Sequence, residues 1–272
     1  MRQIYYRVKN KIAKETRLAL QKRTPFVGDT TFREKGTNWY SPVMVGPSTF
    51  MEECISAQTV KSVSSIIAKL TRDKYLEFNL EYYKTGIDRF GDKWRYGDIN
   101  TFLYGICNNI NVANYMEIGV RRGRSMSIVA ALHPQANIVG FDMWIPNYVG
   151  IENPGPDFVR SELTKVGFKG QVDFISGNSH ITVPKHFKKN PDLYFDIITV
   201  DGDHTYKGAL QDLKTVIPRL KVGGFLLFDD ICNPEHTYLR KIWDKITAHT
   251  DRFQTFAYEE LGYGVALAIK KY

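Results

Sequence analysis

Residues 114–125 read NYMEIGVRRGRS, and this stretch decides the fold. The apolar run Asn114–Ile118 is followed by two glycines, Gly119 and Gly123, and then by a helix-like segment. Glycines between a strand and a helix let the backbone turn tightly and approach a ligand closely. The same alternation continues toward the C-terminus. Apolar runs at 137–141, 172–175, 194–200 and 224–228 alternate with helix-like stretches near 123–133, 156–167, 181–188 and 204–219. That order predicts a parallel sheet with helices on both faces. Two further runs, 253–258 and 263–269, follow each other across a short glycine-containing turn and predict an antiparallel hairpin at the sheet edge.

The ends of the first three runs carry groups that suit a nucleoside. Asp142 ends the second run, 23 residues after Gly119, where an acid accepts hydrogen bonds from ribose hydroxyls. Met143 follows it, and the third run ends in Ser176-Gly177-Asn178-Ser179, small polar residues suited to an adenine edge. A dinucleotide site would show G-x-G-x-x-G and a helix N-terminus open to pyrophosphate. Glu117 stands just before the first glycine instead, a poor neighbour for phosphate and a suitable one for a cationic cofactor with an amino-acid tail.

With this E-x-G-x-x-x-G-x-S loop, the acid on the second strand and the terminal hairpin, residues 112–270 resemble the class I S-adenosylmethionine-dependent methyltransferases. The resemblance implies an α/β, Rossmann-like doubly wound seven-stranded mixed sheet with a C-terminal hairpin. It also implies S-adenosylmethionine as cofactor. The residues expected around it are Glu117, Gly119, Gly123, Ser125, Asp142, Met143, Asn178, Ser179 and Asp201.

A second constellation is acidic. The fourth run ends in Asp201-Gly202-Asp203-His204 and the fifth in Asp229-Asp230, so acids from adjacent strand ends should converge in the ligand crevice. Clustered carboxylates repel unless a counter-charge joins them, and such oxygen ligands suit Mg²⁺. Capping of a following helix near Asn233-Pro234 accounts for one of these acids but not for three. The pattern resembles the Mg²⁺-dependent O-methyltransferases, and the D-G-x-H and D-G-D forms resemble enzymes that methylate sugar hydroxyls of antibiotics and glycans. That resemblance carries metal ligation to Asp201, Asp229 and Asp230 and offers His204 or Asp203 as general base. The implied activity is O-methylation of a saccharide or related polar hydroxyl, as in glycan or polysaccharide synthesis. A catechol or phenolic acceptor is the alternative. An NAD-type oxidoreductase and a non-catalytic membrane- or RNA-binding scaffold are the readings from other classes.

The 272 residues, 43% apolar and 24% charged, form a folded protein with a sizeable core rather than a disordered chain. The net charge of +8 is uneven: residues 1–40 carry ten Lys/Arg and three acids, leaving the remainder nearly neutral. Ile4, Val8 and Ile12 between the basic residues predict an amphipathic helix, with peripheral membrane contact through residues 1–22 as the expected role. Nucleic acid is disfavoured, because the turn after the fourth run is DGDH and not the N-P-P-Y type of enzymes that methylate base amines. The expected organisation is an arm and loop over 1–40, a helical lead-in and lid region over 41–111, and the methyltransferase domain over 112–272. The expected helices of the lead-in run from a Thr49–Glu52 capping box to about Leu70, then over 73–84 and 98–108. The stretch 143–156, with Trp144 and Tyr148, is either a lid over the site or a surface loop with a buried Trp, and the aromatics of 37–49 are expected beside it. Cys54, Cys107 and Cys232 are odd in number and widely spaced, consistent with a reduced, cytoplasmic setting. A homo-oligomer is expected.

Overall fold

The computed structural model describes residues 45–248 and 252–271. The basic arm with its expected helix, and Trp39 and Tyr40, lie outside the described residues. Among the described residues, seven strands form one sheet: β1 (Asn114–Ile118), β2 (Asn137–Asp142), β3 (Gln171–Ser176), β4 (Phe195–Val200), β5 (Leu220–Asp229), β6 (Phe253–Tyr258) and β7 (Val265–Lys270). Their order is β3-β2-β1-β4-β5-β7-β6. The first five run parallel, and β7 lies antiparallel between β5 and β6, with Tyr258 opposite Val265. This is the doubly wound mixed sheet with a terminal hairpin that the sequence predicts.

Nine helices cover it among the described residues: α1 (Pro47–Cys54), α2 (Ala57–Ile67), α3 (Lys74–Phe90), α4 (Ile99–Asn109), α5 (Arg124–Leu132), α6 (Pro156–Lys165), α7 (Ser179–Lys189), α8 (Tyr206–Val216) and α9 (Tyr238–Thr247). Side chains alternate across the strands as a pleat requires. On β5, Phe225 and Leu227 enter the core under α1–α6, whereas Leu226 and Phe228 enter the core under α7–α9. Phe50 of α1 meets Phe225 edge-on at 5.4 Å, and Trp243 of α9 stacks on Phe228 at 6.0 Å. No helix among the described residues is long and apolar enough to cross a membrane.

The helices differ from the sequence reading in three places. The single helix expected over 49–70 is two. Gly46 and Pro47 start α1 ahead of Thr49, because proline is preset for the first helical turn. The chain then breaks at Ser56, which is extended, bridges to Arg95 and caps α2 by accepting from the Thr59 amide at 3.1 Å. Next, α3 runs on to Phe90, six residues past the expected end, with Asp73 as its N-cap. Lastly, the helix considered to follow β5 near Asn233-Pro234 begins later, as α9 at Tyr238, with Leu239, Ile242 and Trp243 buried at helical spacing.

Candidate functional site

The carboxyl ends of β1, β4 and β5 open onto a cavity of about 390 Å³. In an open α/β sheet this is where ligands bind. Gly119, Ser125, Asp201, Asp229 and Asp230 of the expected site residues line it.

The glycine loop is shaped by close approach. Gly119 has φ +92°, and a Cβ there would overlap the carbonyl oxygen of Asp201 at the end of β4. Gly123 is left-handed at φ +71° and starts α5. Glu117 does not face the cavity openly. It is 1% exposed and accepts from the hydroxyls of Ser125 and Tyr115, the latter at 2.9 Å, while Tyr115 also contacts Thr199 at 3.0 Å. Burial pushes the Glu117 carboxyl up to about 8; the Ser125 and Tyr115 hydrogen bonds oppose the rise, and the charges of Asp201 and Asp142 add to it. Unfolded glutamate titrates near 4.3, so between about pH 4.3 and 8 the folded state holds a proton that the unfolded state has lost. Stability therefore falls as pH rises through that window, by at most about 1.4 kcal/mol per unit from this group. Glu117→Gln, melted without cofactor at pH 5 and pH 8, should show a smaller loss of Tm across the window than the wild type. An equal loss would show that Glu117 is ionised throughout.

Asp142 ends β2 and is held by two backbone amides, Arg121 N–H at 2.7 Å and Trp144 N–H at 2.6 Å. Met143 beside it is exposed. Asn178 caps α7 by accepting from the His180 amide at 2.8 Å, and Ser179 donates to Asp212 at 2.8 Å. These residues stand along the β2 and β3 ends, outside the cavity lining. Trp144 turns onto β3, where its indole N–H donates to Ser176 at 2.9 Å and its ring meets Phe174 edge-on at 5.8 Å. The loop after it is tied down by Arg121, over the Tyr148 ring, and by Arg122, which donates to the Glu152 carbonyl at 3.1 Å.

The two candidate bases part company. Asp203 accepts from the Thr205 amide at 2.8 Å and lies over the first turn of α8, where only a glycine, Gly208, leaves it room. His204 reaches the acids instead: its Nε2 is 3.2 Å from Asp201 Oδ1 and its Nδ1 3.7 Å from Asp230 Oδ2. Burial works to lower its pKa, but the hydrogen bond and charge of Asp201 with the charge of Asp230 outweigh this and raise it. Neither base lines the cavity. Burial, then repulsion from Asp201, raises both Asp229 and Asp230; the charge of Asp230 adds to the rise at Asp229, which lies far above the usual carboxylate range, while Asn233, His204 and His236 oppose it at Asp230. Asp230 sits in the left-handed region at φ +61°, braced by the Asn233 amide at 3.0 Å. The donor chemistry on this floor suits a hard divalent cation. The side chains are not gathered into a coordination sphere: among the described residues, no group of three or more His, Cys, Asp or Glu is placed to hold a metal.

What the sequence reading missed is the opposite wall. Tyr75, Phe78, Asn79 and Tyr82 of α3 line the cavity, with Tyr96 and Asn100 ahead of and within α4. The signal was present as aromatic spacing of three and four, but nothing local says what such a face packs against. Asp73 holds this wall to the glycine loop. Its Oδ1 accepts from the amides of Tyr75 and Leu76 at 2.9 and 3.0 Å, and its Oδ2 pairs with Arg122 at 2.8 Å and with Arg124.

Residues 116–231 match the family model described as a methyltransferase domain. None of the curated proteins compared matches the chain. Among solved structures, the O-methyltransferase TomG from Streptomyces achromogenes, involved in tomaymycin synthesis and in complex with SAM, is 15% identical. That match covers 79% of this chain and 96% of that one, with a TM-score of 0.54. An O-methyltransferase from Bacillus cereus in complex with SAH is 16% identical over 79% of this chain and 97% of its own, also at 0.54. At these identities the likeness is one of fold. Residues 116–231 thus match a methyltransferase domain, and the strand order and the glycine loop beneath a crevice at the ends of β1 and β4 give the chain the fold of the class I methyltransferases.

Proposed function

We propose that the protein transfers the methyl group of S-adenosylmethionine to a hydroxyl of a saccharide or related polar metabolite. The observation that carries this reading is the cavity in which the glycine loop faces Asp201, Asp229 and Asp230 across the ends of adjacent strands. The two O-methyltransferases of the same fold that were solved with SAM and SAH agree with it. S-adenosylmethionine supplies, when bound, a methyl group on a sulfonium that a nucleophilic oxygen displaces. The chain's residues position the acceptor hydroxyl beside the carboxylates and take its proton. Of the two bases expected, His204 contacts that cluster and Asp203 is held by the Thr205 amide ahead of α8, so we assign proton uptake to His204. A base within hydrogen-bond reach typically contributes about 10²–10⁴-fold.

The finer part of the proposal is Mg²⁺ held by Asp201, Asp229 and Asp230. Their mutual repulsion favours a cation, although His204 already supplies part of the counter-charge. Bound there, the ion would lower the pKa of an acceptor oxygen. A phenolic acceptor is the second reading, favoured by the aromatic wall of α3. Asp229→Ala should reduce turnover at least about 10²-fold, and excess EDTA should do the same to the wild type. Full turnover in EDTA would remove the metal, and binding of NAD in place of S-adenosylmethionine by calorimetry would remove the whole reading. The arm at 1–22 is proposed as a contact to anionic membrane, which co-sedimentation with vesicles tests against a chain lacking residues 1–24.

A further inference from the structure

The near-neutral charge of the chain beyond residue 40 is an average over two unlike faces. Helices α1–α6, on one side of the sheet, carry seven Lys or Arg and seven acids. Helices α7–α9, on the other, carry eight Lys or Arg and two acids. Neither acid offsets the excess at the surface: Asp212 is buried, and Asp244 pairs with Arg240 at 3.0 Å. The strand-end carboxylates Asp201, Asp229 and Asp230 line the cavity instead.

Helical spacing turns the positive charges outward. Phe187 of α7, Leu213 of α8 and Trp243 of α9 belong to the stripes that these helices bury in one core. The opposite stripes are exposed, with Lys185, Lys188 and Lys189 on α7 and Lys207 and Lys214 on α8. Lys241 and Lys245 continue the pattern on α9. Because α7 packs against α8 and α8 against α9, the stripes lie side by side as one surface. Among the described residues none of these lysines is in an ion pair.

An apolar side chain shares the α7 stripe. Ile181, one turn ahead of Lys185, is 67% exposed, more than any other large apolar residue described. Lysines are well solvated in water and an exposed isoleucine is not. A partner that suits both is anionic at its surface and apolar just beneath, which is the composition of a lipid headgroup layer. A nucleic acid would meet only the charge. Tyr206, next to Lys207, is met edge-on by Tyr238 at 6.1 Å rather than left free to stack on a base. The guanidinium of Arg240 is taken by Asp244 and Glu259 rather than open to a phosphate.

We propose that the outer face of α7, α8 and α9 is a docking surface for an anionic lipid bilayer. The lysines meet the phosphate headgroups, and Ile181 enters the layer below them. The contact belongs to the folded body, uses none of residues 1–22 and does not depend on the methyl-transfer reading. Ile181 stands in the first turn of α7, so the face reaches the carboxyl end of the sheet, where the cavity opens.

Flotation of the full chain with vesicles of equal parts phosphatidylglycerol and phosphatidylcholine tests this, against vesicles of phosphatidylcholine alone and a duplex DNA oligonucleotide. The wild type should prefer the anionic vesicles at least about tenfold. Lys185→Glu/Lys188→Glu/Lys189→Glu should weaken that binding at least about tenfold, and Lys207→Glu/Lys214→Glu should act in the same direction from the neighbouring helix. Lys69→Glu/Lys93→Glu/Lys169→Glu makes the same change in net charge at exposed positions off this face, and should cost less than about threefold. Ile181→Ser should weaken binding about threefold. All these side chains are exposed, so unchanged melting temperatures should show that the variants fold. Equal losses in the two triple variants would assign the binding to net charge or to the arm and overturn the proposal. Equal binding to both kinds of vesicle, or to neither, would overturn it as well. So would DNA binding that the α7 variant abolishes while vesicle binding persists.

Discussion

Replacing Asp73 by alanine should lower the unfolding free energy by about 3–5 kcal/mol, the cost of leaving a buried ion pair without one partner. The side chains of Asp73, Arg122 and Arg124 are 13%, 7% and 12% exposed. One carboxylate thus pairs with two guanidiniums that water hardly reaches. The same carboxylate caps α3 through two amides, and loss of a cap adds about 1 kcal/mol. Asp73→Asn separates the two effects: it keeps a capping oxygen and removes the charge, so most of the loss should remain. Urea unfolding of the three proteins measures this. A loss below about 1 kcal/mol in both variants would mean that the arginines are hydrated and that α3 is held by apolar packing alone. Because α3 carries the aromatic wall and the arginines belong to the glycine loop, both variants should also raise KM for the acceptor.

Gly119→Ala should weaken S-adenosylmethionine binding at least about 100-fold, or about 2.7 kcal/mol. Two independent penalties meet at this position. A φ of +92° is open to glycine and strained for an L side chain. The added Cβ would also overlap the Asp201 carbonyl, which is backbone and cannot rotate away. Relief requires the ends of β1 and β4 to separate, displacing the loop from Asp201. Gly150→Ala is the control, because its φ is +70° and a Cβ there meets nothing within 4 Å. That variant should cost about 1 kcal/mol of stability and leave cofactor affinity unchanged. Calorimetric titration of both decides it; equal affinities would show that the β1–β4 crevice is not the cofactor site.

The strands were legible because their signals are local. Apolar runs bounded by glycine and polar residues marked β1 to β7 to within a few positions, except that β5 begins at Leu220, where an irregular register against β4 adds residues ahead of Gly224. The acids at Asp142, Asp201, Asp229 and Asp230 were legible for the same reason, since a strand end can be read from the residues on either side of it. The α1–α2 break was not, because it depends on a bridge between Ser56 and Arg95, which are far apart in the chain. Nor could spacing say that Ser125 would be spent on Glu117, or Ser179 on Asp212.

The sequence by itself determined a doubly wound sheet and the set of chemical groups at its strand ends, because strand period, helix period and turn chemistry act over a few neighbouring residues. Only the tertiary structure decided which way those groups turn. Adjacent in sequence, Asp203 is drawn to the start of α8 and His204 to Asp201 and Asp230. Glu117 is sealed under Ser125 and Tyr115, and the aromatic face of α3 is brought over the cavity by Asp73 and two arginines about fifty residues away. Each of these outcomes is a competition between hydrogen bonds and packing contacts contributed by distant segments, and it is settled only when the chain has closed around them.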